Sequence, residues 1–571
     1  MTAVKKATLD EKPAFDEKPA PGGDIRQHPY GVEPMGNIFL KGATNCRPQG
    51  LGTLHAFSDQ FMLGLMECLG VLDLCRVASS SRALYVFAHV DEVWKALVIK
   101  EMSRRPGESL KTRGRWWKST MSALRVPEFA GPPHVPLKVS GFFSDLLFQP
   151  HLCSTVPIRR EWLSKTNVDR RSGISPAAFR EEYEVPNIPV VLVDGAASWP
   201  AISCWTKEHL LKCYGDLRLH AGGLEFELKD YLRYAEESED ELPLYVFDKH
   251  FANKCPALGE GYSVPEVFPD DLFSVLDEND ACGGADDDDR SEALGRPDYR
   301  WLIAGPARSG SSFHVDPNGT SAWNGVVCGR KKWVLFPPGA TPPGVFPSED
   351  GLDLAAPVSI TEWFLNFYED CHSSGCQVRP LECVVSAGEV LFVPRGWWHC
   401  VLNLEWSVAI TQNFVSRVNL PHVVRFLSEK KHLISGLPLE KRENLGERFL
   451  AALSKQRPDM AFLASRSTCP GAGGGQGEAV GASVGKAVVH GASRGKSGGG
   501  LWRALKKGQG GSLPRDDQGE SGVTDISRTQ KRHRKEPKIE PKVADGEREG
   551  GGEGENGTTE PERFCFGFSF P

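Results

Sequence analysis

Two motifs carry side chains able to hold a metal. The stretch Gly305 to Phe336, GPARSGSSFHVDPNGTSAWNGVVCGRKKWVLF, contains His314 and Asp316 one residue apart. On a strand, alternate side chains share a face, so both would point the same way. A second stretch, GEVLFVPRGWWHCVLNL, ends an apolar run in Pro-Arg-Gly and delivers His399. Two histidines and one carboxylate, two close in sequence and one distant, form the ligand set of a facial triad. Such a triad fills one face of an octahedral iron(II) and leaves the opposite face open for co-substrate and oxygen. His-x-Asp by itself is a weak signal in a chain with 15 histidines, so its surroundings decide.

Lys331 follows at a distance that would place it on the next antiparallel strand, with Gly329 in the turn. Flanked by Trp333, Val334, Leu335 and Phe336, it is expected to point into a barrel and pair with a carboxylate. The competing reading is an outward, solvated lysine, and the run Arg330-Lys331-Lys332 allows it for at least one of the three.

The elements that must position these residues are short strands punctuated by Gly and Pro: YRWLIAG, SSFHVD, KKWVLFP, CVVSAG, EVLFVP, HCVLNL and WSVAITQNF. Their spacing predicts a mainly β fold, a closed double-stranded β-helix or cupin-like jelly roll, with flanking helices. Its mouth suits a metal with open positions. Trp397 and Trp398 are expected beside the metal pocket. Upstream, Ser175 before Pro176 predicts a capped helix, Val190 to Val193 a strand, WTKEHLLKCYG and FELKDYLRYAEES two helices, and PLYVFD a strand.

The blocks GPARSG, HVDPNGTSAWN, GRKKWVLFPP, VPRGWWHCVLNL and AITQNF resemble the Jumonji C (JmjC) oxygenases. Within them, the match is to the lysyl hydroxylase and arginine demethylase branch once called the phosphatidylserine receptor. The resemblance implies that His314, Asp316 and His399 bind iron(II). It implies that Lys331 takes the distal carboxylate of 2-oxoglutarate with Thr411 and Asn324, and that Tyr231 joins them. Ser311 stands where a threonine is common and keeps a hydroxyl at the co-substrate site. The reaction implied uses molecular oxygen, converts 2-oxoglutarate to succinate and carbon dioxide, and hydroxylates a C–H bond; on an N-methyl group the same chemistry is demethylation. The implied substrate is a protein, a histone or another Lys/Arg-rich chain.

Between Leu51 and about Thr120 the pattern is helical. Leu65, Leu69 and Leu72 fall at i, i+4 and i+7. Ser58 or Asp59 is expected to cap the first helix and Asp73 a second carrying Leu74 and Val77, with Val93, Trp94 and Leu97 on a third. Leu-x-x-Leu, DLCRVASSSRALYVFA, VWKALV and the trailing Trp116-Trp117 resemble an F-box, which implies docking to a Skp-type adaptor of a cullin ubiquitin ligase. A purely structural helical cap is the other reading.

The expected order is therefore a disordered segment 1–48, an F-box-like all-α domain 49–122, a connector 123–155 in which Phe142 to Cys153 is extended, an oxygenase domain 156–435, C-terminal helices 436–464 and a low-complexity tail 465–571. Leu445, Phe449, Leu450 and Leu453 form an amphipathic stripe that would support the barrel or pair two protomers.

Composition excludes several classes. Net charge is −7 with 25% charged residues, which does not suggest a nucleic-acid binder. No run is apolar enough to span a bilayer or act as a secretory signal, so no membrane role is expected. The 15 cysteines lack any Cys-x-x-Cys pair, which suits reduced thiols, and Cys371, His372 and Cys376 read as a plain loop rather than a zinc site. The acidic run from Asp277 to Asp288 reads as a solvated loop, or as an attractor for a basic substrate. The cluster Lys531 to Lys538, KRHRKEPK, reads equally as a solvated run or a nuclear import signal, so a nuclear location, with a cytoplasmic share, is expected. Alongside a protein oxygenase, two readings remain open: an adaptor whose barrel only binds, and an oxygenase for RNA or a small molecule.

Overall fold

A strand covered on both sides is buried along its length, and the central strands here are so: Ser321–Cys328 and Ser407–Phe414 each bury all but one residue, polar side chains included. The computed structural model describes residues 27–126, 134–277 and 295–465. The acidic run beyond Asp277, the basic cluster at Lys531 and the low-complexity tail lie outside the described residues.

Thirteen strands build two facing sheets. In chain order they are β1 (Asp169–Arg171), β2 (Val190–Leu192), β3 (Arg218–Ala221), β4 (Leu224–Glu227), β5 (Val246–Asp248), β6 (Arg300–Gly305), β7 (Gly310–His314), β8 (Ser321–Cys328), β9 (Arg330–Phe336), β10 (Leu381–Ser386), β11 (Val390–Val393), β12 (Trp398–Asn403) and β13 (Ser407–Phe414). The larger sheet runs β1-β2-β11-β8-β13-β6-β5-β3-β4 and the smaller β10-β9-β12-β7. All neighbours are antiparallel except β1 and β2. This is the expected double-stranded β-helix. β8 went unrecognised in the sequence because Asn324 and Gly325 interrupt its apolar run, yet it pairs along its length with β11 and β13.

Side chains facing the space between the sheets include Ile303, Ala322, Val326, Trp333, Leu335, Cys383, Leu391, Val401 and Ala409. The outer face of the smaller sheet, with Phe313, Val334, Phe336 and Leu402, is covered by Trp363 and Phe364. The larger sheet turns Trp323, Phe392, Ile410 and Phe414 outward into a core that continues without a break to Trp94, Phe87 and Met62 of the N-terminal helices.

Those helices are α1 (Asp59–Glu67), α2 (Val71–Ala78), α3 (Arg82–Ala88), α4 (Asp91–Met102), α5 (Trp117–Arg125) and α6 (Asp145–Thr155). Ser58 caps α1, its hydroxyl accepting from the Phe61 amide at 3.2 Å. The helix stops at Glu67 and α2 starts after Gly70, so Leu65, Leu69 and Leu72 do not share one helix. Met62, Met66 and Leu74 are buried instead, while Leu65 and Leu72 face solvent. Asp73 lies inside the first turn of α2 rather than capping it.

Two further expectations are corrected. Residues 27–48 are ordered: Val32–Glu33 pairs in parallel with Phe142–Phe143, and Tyr30 and Val32 bury their side chains. Phe142 to Cys153 is not an extended connector but a short strand followed by α6, capped by Ser144, whose hydroxyl accepts from the Leu147 amide at 3.2 Å. The helical part is also fastened to the barrel, as the helical-cap reading allows: Lys95 pairs with Asp240 at 2.8 Å and the Leu110 amide donates to the Glu225 carbonyl at 2.7 Å.

At the other end, Leu445, Phe449 and Leu453 are buried against Val423, Val424 and Phe273 of the same chain, so this stripe supports the barrel. Among the described residues every cysteine is a free thiol, and no helix is long and apolar enough to cross a membrane.

Candidate metal centre and co-substrate pocket

His314 closes β7 and His399 lies at the start of β12, and the two are direct partners across the sheet. Paired residues share a face, which brings their rings to 4.1 Å between centroids. A bulge in β7 keeps the register: Ser311 and His314 both pair inward while Phe313 turns out against Trp363. Asp316 is not on the strand. It lies two residues beyond, in extended backbone (φ −57°, ψ 143°) that preserves the alternation and carries its carboxylate back toward the histidines. The turn behind it is held by Asn318, left-handed at φ 57°, whose side chain donates to the carbonyl and accepts from the amide of Ser435, both at 3.1 Å.

The three ligand atoms lie within 4.8 Å of one another, with His399 Nε2 3.9 Å from Asp316 Oδ1. Each imidazole is aimed by its other nitrogen. Nδ1 of His314 contacts the Ser312 carbonyl at 2.7 Å, and Nδ1 of His399 the Trp397 carbonyl at 3.0 Å. The proton therefore sits on Nδ1, and Nε2 presents its lone pair to the centre. Burial pulls both imidazoles down to about 4, with the neighbouring His399 adding to the fall at His314. Burial also lifts Asp316 to about 6, against the pull of His314 and Asn413. Oδ2 of Asp316 is buried with no hydrogen-bond partner. Two neutral imidazoles and a desolvated carboxylate oxygen converging on one point are what a divalent cation satisfies.

Lys331 lies on the same inward-facing side of the smaller sheet, toward the other end of the strand pair. Its strand is not next to that of His314, as expected, because β12 lies between them. The ammonium is fully buried and donates to Tyr245 Oη at 3.0 Å and Asn403 Oδ1 at 2.8 Å. No protein carboxylate pairs with it among the described residues, and burial pulls it down to about 7. Its two neighbours explain the ambiguity of the run. Lys332 points the opposite way and pairs with Glu382 at 2.7 Å, both buried, and Arg330 reaches outward to Glu405 at 2.9 Å.

Thr411 and Asn324 are direct partners on β13 and β8 and line the inner wall. The Thr411 hydroxyl donates to the Trp323 carbonyl at 3.0 Å, and Asn324 Oδ1 is buried without a partner. Trp333 lies between the two poles, its ring 5.8 Å from that of His399 and its Nε1 also buried and unpartnered. Trp397 faces the inner cluster and donates to the Asn187 carbonyl at 2.8 Å, whereas Trp398 packs on the outer face.

Tyr231 is not in the pocket. Its hydroxyl lies between the carbonyls of Leu244 (2.9 Å) and Ala304 (3.0 Å), in the core outside the barrel. Tyr245, just before β5, takes the place at Lys331 that had been expected of Tyr231. The strand in PLYVFD was legible, but nothing local says which tyrosine reaches across to β9. Asn403 was likewise missed, although it stands in the VPRGWWHCVLNL block and pairs directly with Lys331.

Fold and site together define an iron- and 2-oxoglutarate-dependent oxygenase of the cupin type. A cupin-like domain model matches residues 176–419. Arginine-specific demethylase JMJ22 of Arabidopsis thaliana is 44% identical over 434 residues, 75% of this chain and 82% of that protein. The bifunctional arginine demethylase and lysyl-hydroxylase psr-1 of Caenorhabditis elegans is 36% identical, covering 52% of this chain and 71% of its own. The 2-oxoglutarate and iron-dependent oxygenase JMJD4 of Homo sapiens is 30% identical, covering 46% and 64%. The chain belongs to the JmjC oxygenase family. Iron(II), 2-oxoglutarate and oxygen are the reagents its site is built to take.

Proposed function

We propose that this oxygenase hydroxylates protein side chains, at lysine carbons or at the N-methyl groups of arginine or lysine. The observation that carries the reading is the buried triad in one barrel with a buried lysine that meets no carboxylate among the described residues. The names of the relatives, arginine demethylase and lysyl hydroxylase, supply the substrate class.

His314, Asp316 and His399 would hold iron(II). Bound there, the metal supplies oxidation of a C–H bond by oxygen as 2-oxoglutarate is converted to succinate and carbon dioxide. Lys331 would hold the distal carboxylate of the co-substrate through a charge-assisted hydrogen bond in the buried interior. Trp333 and Val401 pair across β9 and β12 between the two poles and make that stretch of the interior apolar. His399 and Asn403 are four residues apart on one strand, roughly 13 Å between Cα atoms, which leaves room for an extended dicarboxylate between side chains from both ends. A hydroxyl placed on an N-methyl carbon leaves with it as formaldehyde; on a lysine carbon it stays.

The test is mass spectrometry of Lys- and Arg-containing peptides incubated with iron(II), 2-oxoglutarate and oxygen. Gain of one oxygen or loss of one methylene, absent with His314→Ala, is the expected result. Succinate release with no change in any peptide, but with change in RNA or a small molecule, would overturn the substrate class.

A second reading rests on the helical part. Phe57, Phe61, Leu65 and Leu72 are exposed, and the first two rings stack at 4.4 Å. We propose that this apolar face, with the F-box-like motifs behind it, docks a Skp-type adaptor. Phe61→Asp and Leu72→Asp are expected to abolish co-purification with such an adaptor while leaving oxygenase activity intact. Deleting the whole module is a poorer test, because it would strip the shared core. A homodimer through the C-terminal helices would have to use the exposed Leu439 and Phe462, because Leu445, Phe449 and Leu453 are already buried. We also propose a nuclear location on the basic cluster at Lys531, tested by imaging a chain with that cluster neutralised.

A further inference from the structure

We propose that Asn403 is a positioning residue for Lys331: with Ser309 behind it, it holds the ammonium through a neutral acceptor and leaves the full positive charge for one carboxylate of the dicarboxylic co-substrate. The proposal rests on the oxygenase reading of the cavity.

The orientation of the amide is dictated by its neighbours. Ser309 has one hydroxyl proton, and it goes to the Pro306 carbonyl at 2.6 Å. Ser309 Oγ can then only accept, and Asn403 Nδ2 donates to it at 2.9 Å. That leaves Asn403 Oδ1 facing Lys331 Nζ at 2.8 Å. Lys331, Asn403 and Ser309 all have zero exposure, so no water competes for these bonds.

The backbone fixes the same relay. The Asn403 amide donates to the Ser309 carbonyl and the Arg308 amide to the Asn403 carbonyl, both at 2.9 Å. The loop supplying Ser309 is itself constrained. Arg308 is left-handed at φ 70°, and a Cβ at Gly310 would come within 2.0 Å of the Val401 carbonyl oxygen. A strained backbone at a buried polar relay persists only when its surroundings hold it there.

The chemical consequence lies in what Asn403 is not. An aspartate of the same shape would form a buried ion pair with Lys331 and compete with any incoming carboxylate. Two neutral oxygens, from Asn403 and Tyr245, take two of the three ammonium protons and cancel none of its charge. The lowered titration of the Lys331 ammonium has burial as its cause, in agreement with a site where no carboxylate among the described residues pairs with it.

The test uses the full-length chain loaded with Mn(II), with 2-oxoglutarate binding read by calorimetry and succinate release read separately with iron(II). Asn403→Asp is expected to weaken 2-oxoglutarate binding by about tenfold or more, raise KM in step, and leave kcat at saturation close to that of the parent. Ser309→Ala, which removes the acceptor for the amide, is expected to shift binding in the same direction by a smaller factor, with Mn(II) affinity unchanged. Binding within about twofold of the parent in both variants would overturn the proposal, as would equal losses of Mn(II) and 2-oxoglutarate affinity, the mark of a merely structural role. If Asn403→Asp does not fold, parent-like binding by Ser309→Ala overturns it alone. A parent chain that binds Mn(II) but no 2-oxoglutarate would overturn the co-substrate assignment itself, a result distinguishable from the others.

Discussion

Lys331 and Lys332 are adjacent in the chain and both fully buried, yet they point to opposite faces of one strand. Lys332 meets Glu382, which also accepts from Tyr368 at 2.9 Å, and that network ties the outer face of the smaller sheet together. Lys331 meets only neutral oxygens. On the proposed reading, the two like residues would serve stability and binding separately.

Replacing each by methionine should separate the two roles. Lys332→Met leaves Glu382 buried without its cation and is expected to cost about 3–5 kcal/mol in denaturant unfolding. Lys331→Met removes a buried, uncompensated amine. It should fold at least as stably as the parent and lose 2-oxoglutarate binding.

The pH dependence follows from the same residue. The folded Lys331 titrates at about 7, below its ordinary value of 10.5. Between these values the unfolded chain holds one proton more, so this group makes stability rise with pH by up to about 1.4 kcal/mol per unit, and the contribution is lost as pH falls through 7. A carboxylate bound at Lys331 needs the charged form. Binding should therefore take up a proton above pH 7 and weaken with rising pH, measurable as buffer-dependent binding heats. Lys331→Met should remove the stability slope.

Metal addition tests the triad without turnover. Mn(II) should raise the melting temperature of the parent in proportion to the logarithm of its concentration. His314→Ala should show no such rise. Asp316→Asn, which leaves a neutral group where an unpartnered buried oxygen now sits, should keep the metal-free melting temperature and lose the metal response.

The two tyrosines should behave oppositely. Tyr245→Phe removes an acceptor from Lys331 and should weaken 2-oxoglutarate binding severalfold with little loss of stability. Tyr231→Phe leaves the Leu244 and Ala304 carbonyls short of a donor and should cost about 1–2 kcal/mol with 2-oxoglutarate binding unchanged.

What could be read from the chain alone was whatever depends on neighbours along it. Most of the strands, the Ser58 and Ser175 caps and the grouping of His314, Asp316 and His399 belong to motifs with local geometry; the structure brings those three together, with Asp316 just past the end of its strand. What needed the tertiary structure was every choice between similar residues. Tyr245 rather than Tyr231 reaches Lys331 because β5 pairs with β6 while Tyr231 turns its hydroxyl to backbone outside the barrel. Lys331 rather than Lys332 enters the cavity because the register of β9 against β12 sets which face is inside. Leu65 and Leu72 are exposed because a break at Gly70 divides a stripe that looks continuous in the chain. Local spacing determines which side chains alternate, but only packing between distant segments decides which side of each element is the inside.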